Sequence, residues 1–380
     1  MMYSDMVNVF HQNGHKVFPI APTNCDEDKS FISKEIGIDV LRVKTMDVFN
    51  KDKFKKGFAN VLLPYQFKKS YNKYWKNQKI DLIIVATPSV MFADFVSYLK
   101  KQTKAKVLLM QKDIFPQNAV DLGYMKKNSF IYKFFKKNEL KLLSVSDFIG
   151  CTSPGNINYL IKHYDFLTED KVKLLYNSTN LLEFSSMEDI RSKYSIENKF
   201  VVVFGGNMGK PQQLENVLLL AKKCMIFENV KFLIIGTGTE VEELKKEARK
   251  LHINNIKFVN KVPRGEYFEL LSSCNLGLIS LHQDFTVPNT PMKLNDYLNA
   301  GIPVLASIDR SNDLGALLEN NKMGMYAFAD SPESLFSAFK ALYTNESKCT
   351  ELGRNGKKFC IENLSAEQSY KRILEIFKGV

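Results

Sequence analysis

The chain lacks most of the features that would fix its class at a glance. Its six cysteines (Cys25, Cys151, Cys224, Cys274, Cys349, Cys360) are scattered, with no Cys-x-x-Cys pair. That argues against a disulfide framework or a zinc site and for reduced thiols in a cytosolic protein. No apolar run approaches the ~18 residues of a membrane span. The opening Met1-Met-Tyr-Ser-Asp is not the charged start of a signal peptide. No P-loop signature, no Gly-x-Gly-x-x-Gly fingerprint and no nucleic-acid motif is present. Acid is scarce in one half only. Residues 1–180 carry 28 Lys and Arg against 17 Asp and Glu, whereas the remainder is nearly balanced at 25 against 24.

With 380 residues, the chain suits two domains of ~150–200 residues each. A basic domain attracts nucleic acid or an anionic membrane. Without a nucleic-acid motif, the membrane is the better expectation. Residues 51–79 hold nine basic residues against one acid, Asp52, with Phe54, Phe58, Tyr65, Phe67, Tyr71, Tyr74 and Trp75 interleaved. Such helices lie in a membrane interface, with lysines on lipid phosphates and rings at headgroup level. The competing reading is a solvated helix whose rings face the core. Lys126-Lys-Asn-Ser-Phe-Ile-Tyr-Lys-Phe-Phe-Lys-Lys137 is a second segment of the same kind.

In chain order, Tyr3–Asn13 reads as an amphipathic helix closed by Gly14, and Lys16–Ala21 as a strand. A doubly wound sheet ordinarily opens on a strand. The N-terminal sheet is therefore expected to lack its first strand, with the place beside Lys16–Ala21 empty or filled by a partner chain or another segment. Asp81–Ala86 and Lys106–Met110 are continuous apolar strands, as in a parallel sheet covered on both faces. Loops at the carboxyl ends of such strands line the ligand crevice. That singles out Thr87 and Ser89 after the first and Asp113 after the second. Asp113 could orient or deprotonate an acceptor hydroxyl, or it could cap the next helix or pair with a lysine. Asp147–Ser153 and Lys171–Tyr176 complete this domain.

The second half begins with Lys199–Gly209, a buried strand running into a glycine loop before a helix at Gln213–Lys223. Asn229–Gly238 is a second strand and glycine loop. Such loops let backbone approach a phosphate. Strands at Ile256–Val259 and Leu276–Ile279 follow, and Ser331–Val380 reads as helices. The stretch Val287–Ala306 reads as loop, helix, turn and strand, with Thr290 as N-cap, Pro291 at the first helical position and Gly301 as terminator. A helix opened in this way presents backbone N–H groups to an anion. Lys293 adds a charge for phosphate, and Asp296 lies one turn on, where a ribose would meet it.

Two α/β domains with a glycine loop opening the second suggest the GT-B fold. The motifs Gln111–Gly123, Phe204–Glu215, Ile235–Glu240 and Pro291–Val304, in this order, resemble the retaining glycosyltransferases of family 4. The likeness is nearest to the branch that builds O-antigen and capsule units, fucosamine transferases among them. The resemblance implies two Rossmann-like domains with a cleft between them. Residues 1–180 would bind the acceptor and face the membrane, 181–360 would bind a nucleotide sugar, and 361–380 would form a helix packing back on the N-terminal domain. It implies donor contacts from Gly205, Gly206, Asn207, Lys210, Gly236, Gly238, Pro291, Lys293, Leu294 and Asp296. Thr87 and Ser89 would lie on the acceptor side, with Asp113 as the catalytic group. The implied donor is UDP-linked and N-acetylated, and the implied acceptor is an undecaprenyl-diphosphate-linked glycan at the inner face of a bacterial membrane. No metal or other cofactor is expected, and no nucleic acid. The sequence departs from the family pattern. Asn207 and Gln212 stand where an Arg and a Lys bind diphosphate, and Pro288 stands where the first of two glutamates falls. Lys210 is the nearest cation that could compensate. Two rivals share the fold: a non-catalytic subunit supporting a partner transferase, and a nucleotide-sugar epimerase.

Overall fold

The computed structural model describes residues 2–23, 27–47, 53–87, 89–181 and 188–378. The chain divides into two compact units: Met1–Thr152 with Ile157–Tyr176 and Ser369–Val380, and Ser153–Asn156 with Asn177–Gln368.

The first unit opens on helix α1 (Met2–Gln12), followed by β1 (Ile20–Pro22), β2 (Phe31–Glu35) and β3 (Ile38–Val43). Helix α2 (Lys53–Tyr74), β4 (Leu82–Ala86), α3 (Ala93–Thr103) and β5 (Lys106–Gln111) come next. Then follow α4 (Gln117–Asp121), α5 (Phe130–Val145), β6 (Phe148–Cys151), α6 (Pro154–His163) and β7 (Val172–Leu174). Strands β4-β5-β6-β7 form a parallel sheet in sequence order. A separate three-stranded sheet has the order β1-β3-β2, in which β1 runs parallel to β3 and β2 antiparallel. The first strand is thus shorter and later than Lys16–Ala21, and it pairs with β3 rather than with β4. The β2–β3 hairpin was not foreseen. Its turn needs Ile36 and Gly37 at φ +50° and +80°, a geometry that only the glycine announces in sequence.

One apolar core joins Leu41 and Val43 of β3 to Val107 and Leu109 of β5 and to the inner face of α2. On α2 the positions Ala59, Leu63, Phe67 and Tyr71 recur every four residues and are buried, as is Trp75 just beyond the helix, one stripe on the core. The aromatic-basic segment therefore divides. Phe67, Tyr71 and Trp75 are core residues, while Phe58 and Tyr65 are exposed; the side chains of residues 51–56, Phe54 among them, lie outside the described residues. A second cluster sets Met6 and Phe10 of α1 against Leu108, Met110 and Leu175, and against Ile373 of the last helix (α15, below).

The second unit runs through α7 (Glu188–Tyr194), β8 (Phe200–Asn207), α8 (Glu215–Lys223), β9 (Val230–Thr237), α9 (Val241–Lys250) and β10 (Ile256–Val259). It continues with α10 (Arg264–Ser272), β11 (Leu276–Ser280), α11 (Lys293–Ala300), β12 (Val304–Ile308) and α12 (Leu314–Asn320). It ends with β13 (Gly324–Phe328), α13 (Pro332–Tyr343), α14 (Glu346–Phe359) and the start of α15 (Ala366–Phe377). Its six strands form one parallel sheet in the order β10-β9-β8-β11-β12-β13. Order reverses beside β8, and in open α/β sheets ligands bind at that point, beyond the carboxyl ends of the strands. The sheet thus includes a sixth strand, β13, between the strand read near Val304 and the helices read from Ser331, which the sequence did not announce.

Candidate functional site

The carboxyl end of β8 meets α11 in the second unit, with β9 paired alongside β8. Gly205 and Gly206, expected in a loop, are strand residues, and β8 and β9 stay in register up to Asn207 and Thr237. The glycines are required by close packing rather than by a turn. A Cβ on Gly205 would lie 2.0 Å from the Tyr267 hydroxyl, and one on Gly236 would lie 1.9 Å from the Gly206 carbonyl oxygen. Gly206 and Gly236 also have φ of +135° and +143°, which other residues rarely adopt. Gly238 is pinned against the Met208 carbonyl, where a Cβ would come within 2.0 Å. Tyr297, fully buried on α11, holds the same strand end: its hydroxyl accepts from the Gly205 N–H at 3.0 Å and donates to the Leu278 carbonyl at 3.1 Å.

Helix α11 starts at Lys293, two residues later than expected. Its N-cap is Met292, and no side chain caps it. The carbonyl of Thr290 instead accepts from Asn177 Nδ2 at 3.1 Å. Pro291 supplies the carbonyl that takes the Leu294 N–H at 3.0 Å. Leu294 is 1% exposed, so neither its side chain nor its N–H is available to a ligand. Among the described residues, the N–H groups left without a protein acceptor at this end belong to Met292 and Lys293.

Lys293 is buried, 9% exposed. Its ammonium lies 4.0 Å from the centre of the Phe204 ring and donates to Gln212 Oε1. Its stem passes Gly206, whose missing Cβ would be 3.6 Å from Lys293 Cε. Gln212, noted above for standing where a lysine was expected, is thus the neutral partner of this buried cation. Burial pushes the Lys293 amine down to about 7. Asp296, one turn on, is pushed up to about 7 by burial, against the opposing pull of Arg264. Among the described residues the two form no ion pair with each other, which disposes of a surface Lys–Asp bridge. Among the described residues Lys293 is an ionisable group held out of water without an opposite charge in contact, a costly arrangement that clusters at functional sites.

Gly206, Asn207 and Lys210 are exposed at the tip of β8. Glu240, at the end of the second glycine segment, has its carboxyl raised by burial and by Glu215, with Lys210 opposing. Pro288, the other departure, offers only its carbonyl, which accepts from Asn156 Nδ2 at 2.8 Å. The sequence reading missed Phe204, Arg264, Tyr267 and Glu240 as neighbours of this site; nothing in one sequence links Tyr267 to Gly205.

In the first unit, Thr87 is 5% exposed, and its Oγ1 accepts from the N–H groups of Lys112 at 2.8 Å and Asp113 at 3.0 Å. Thr87 is thus a clamp on the β5 loop, with its oxygen already committed. Ser89 begins the short helix Val90–Phe92 without a side-chain cap. Asp113 does not cap α4, whose N-cap is Pro116. Burial holds its carboxyl above the usual range, with Lys112 opposing. Elsewhere on this unit, Ser129 caps α5 by accepting from Tyr132 N at 3.2 Å. Phe130, Ile131 and Tyr124 are 86%, 59% and 64% exposed, among exposed Lys126, Lys127, Lys133 and Lys137. No helix of the described residues is long and apolar enough to cross a membrane.

Residues 186–359 match the family model described as glycosyl transferases group 1. A probable glycosyltransferase, WbjE of Pseudomonas aeruginosa, is 22% identical over 297 residues, covering 75% of this chain and 72% of its own length. Among solved structures, sucrose-phosphate synthase from Thermosynechococcus elongatus superposes with a TM-score of 0.78 at 15% identity, over 98% of this chain and 91% of that one. Alr3699/HepE of Anabaena, solved in complex with UDP, gives 0.67 at 16% identity, over 91% and 87%.

Proposed function

We propose that this chain, whose residues 186–359 match the model of the glycosyl transferases group 1 and whose fold is GT-B, transfers a sugar from a nucleotide donor held by its second unit. The observation that carries the reading is Lys293: a buried ammonium at the start of a helix, beside a strand end stripped to glycine, whose partners among the described residues are an amide oxygen and a ring face. A diphosphate supplies the missing negative charge, accepts from the Met292 and Lys293 N–H groups, and takes further stabilisation from Lys210. Asp296 then accepts from the ribose hydroxyls. The leaving group is a nucleoside diphosphate, so catalysis consists largely of stabilising charge that develops on phosphate. This reading needs no metal and no cofactor besides the donor. UDP is the nucleotide favoured, as in the Anabaena complex, and the sugar is taken as N-acetylated, following the resemblance to the fucosamine-transferase branch.

The acceptor belongs to the first unit, where the buried Asp113 carboxyl is suited to hold or take the proton of an acceptor hydroxyl. Transfer with retention follows if that hydroxyl attacks the face the diphosphate leaves. The exposed Phe130 ring and Ile131 side chain among lysines suit a membrane headgroup layer, and hence a lipid-linked glycan acceptor in capsule or O-antigen synthesis at the cytoplasmic face. A subunit without turnover is the competing reading, and Gln212 and Pro288 are the residues that favour it. Two measurements test the proposal. In calorimetry, Lys293→Ala should weaken UDP at least about tenfold while sparing uridine, and Asp296→Asn should weaken both, since a charge-assisted hydrogen bond is worth roughly 1.5–3 kcal/mol. Unchanged affinities would remove the donor site. Release of UDP from UDP-sugars by the isolated chain would remove the non-catalytic reading.

A further inference from the structure

The first unit holds a second buried cation, which the donor site does not use. β5 ends at the carboxyl edge of its parallel sheet, and the chain turns through Gln111-Lys-Asp-Ile-Phe-Pro116 into α4. The turn is fixed. Thr87 Oγ1 takes the N–H groups of Lys112 and Asp113, and Gln111 Nε2 donates to the Asp113 carbonyl at 2.8 Å. Within this fixed turn and the helix after it, three side-chain atoms are out of solvent contact and find no hydrogen-bond partner among the described residues: Gln111 Oε1, Lys112 Nζ and Asn118 Oδ1. The groups that act on the Lys112 ammonium are the Asp113 carboxyl and the Cys151 thiol; Tyr3 of α1 in turn feels Asp113. The Asp113 carboxyl makes no hydrogen bond to the ammonium, and burial drives the amine down to about 7. A buried, unpartnered ammonium is among the least favourable groups a fold can carry. Three unmet groups on one turn and the helix it feeds, Gln111 and Lys112 on the turn and Asn118 on α4, describe a ligand by what it must bring: one anionic oxygen and hydroxyl donors.

We propose that Lys112, Gln111 and Asn118 form an acceptor subsite that recognises an anionic sugar, the ammonium pairing with a phosphate or carboxylate oxygen and the two amide oxygens accepting from hydroxyls. The inference rests on the transferase reading only in calling this ligand the acceptor; the binding itself is separate from the donor site. The subsite specifies the acceptor's charge, which no motif in the sequence announces.

The test follows Lys112 directly, in the full chain with its donor site filled by UDP. Glucose 1-phosphate, glucuronate and neutral glucose are titrated in turn at pH 7.5, and the Lys112 side-chain resonance is read by NMR with calorimetry alongside. Either anionic sugar is expected to bind at least about tenfold tighter than glucose and to raise the Lys112 pKa, because an anion favours the charged form. Which of the two does so assigns phosphate or carboxylate. Lys112→Met should bring the anionic sugar down to the affinity of glucose while leaving UDP binding intact, which also reports that the variant folds. No preference for either anionic sugar, a preference that survives in Lys112→Met, or a Lys112 resonance that ignores both anions would overturn the subsite. The last of these needs only the unmutated chain. If UDP itself fails to bind, the donor reading falls, and the response of Lys112 still decides this one.

Discussion

The strand ends of the two units are finished in opposite ways. In the second unit, glycines close the ends of β8 and β9. Gly205 admits the Tyr267 hydroxyl, Gly236 admits the Gly206 carbonyl, and backbone lies bare at Gly206 and Asn207. In the first unit a side chain does the closing, with Thr87 taking two N–H groups of the loop after β5. Each unit also buries a lysine whose amine is driven down to about 7. Lys293 has an amide oxygen and a ring face, whereas Lys112 has no hydrogen-bond partner among the described residues. The difference is instructive. Bare backbone and a partly satisfied cation suit a diphosphate that must leave once its bond is broken. A clamped backbone with unmet side chains suits a ligand read through its own substituents.

That contrast can be broken most forcefully at Gly236. Gly236→Ala sets a methyl group 1.9 Å from a backbone oxygen at a φ of +143°. More than about 4 kcal/mol of stability should be lost in chemical denaturation, and a loss below ~1 kcal/mol would mean the strand ends are pliable.

Lys293→Met should act in the other direction. The folded amine titrates near 7 and the unfolded one near 10.5, so between those values the unfolded chain holds the proton and the folded chain does not. The penalty for burying the charge is full below about pH 7 and vanishes by pH 10.5. The variant should therefore gain roughly 1–4 kcal/mol at pH 6, shrinking to nothing as pH rises. The same change should abolish proton uptake on UDP binding, measured by calorimetry in buffers of different ionisation enthalpy. A gain independent of pH would show that Lys293 is not held as an unpaired cation.

Thr87→Val tests the clamp. Two N–H groups lose their acceptor, at a cost of about 1–3 kcal/mol, and no effect on UDP affinity is expected, because Thr87 belongs to the first unit. The smallest effect concerns the membrane. Binding to phosphatidylglycerol vesicles should weaken with salt, since exposed charges are screened within ~10 Å at 0.1 M, and Phe130→Ser should weaken it further. Binding that ignores both salt and Phe130 would detach the first unit from lipid.

Much of this protein was legible before folding. Continuous apolar runs such as Asp81–Ala86 and Phe200–Phe204 became parallel strands, because both faces of such a sheet are covered. Gly301 ended α11 in the left-handed conformation as expected. The hairpin of β2 and β3 and the strand β13 were missed, as their alternation is weak and their stability comes from partners distant in sequence. The N-cap of α11 was misplaced because Thr290 satisfies the sequence rule while its carbonyl is claimed by Asn177.

The sequence by itself determined the parallel α/β character, the order of the motifs and the identity of Lys293 and Asp296 as a pair one helical turn apart. All of these depend on local spacing, which a chain carries with it. Only the tertiary structure decided that Gln212 and Phe204 surround Lys293, that Tyr267 needs Gly205 to be glycine, and that the Lys112 ammonium is buried with no hydrogen-bond partner among the described residues. Desolvation and close approach are properties of what packs around a group, and no window of sequence contains the neighbours that impose them.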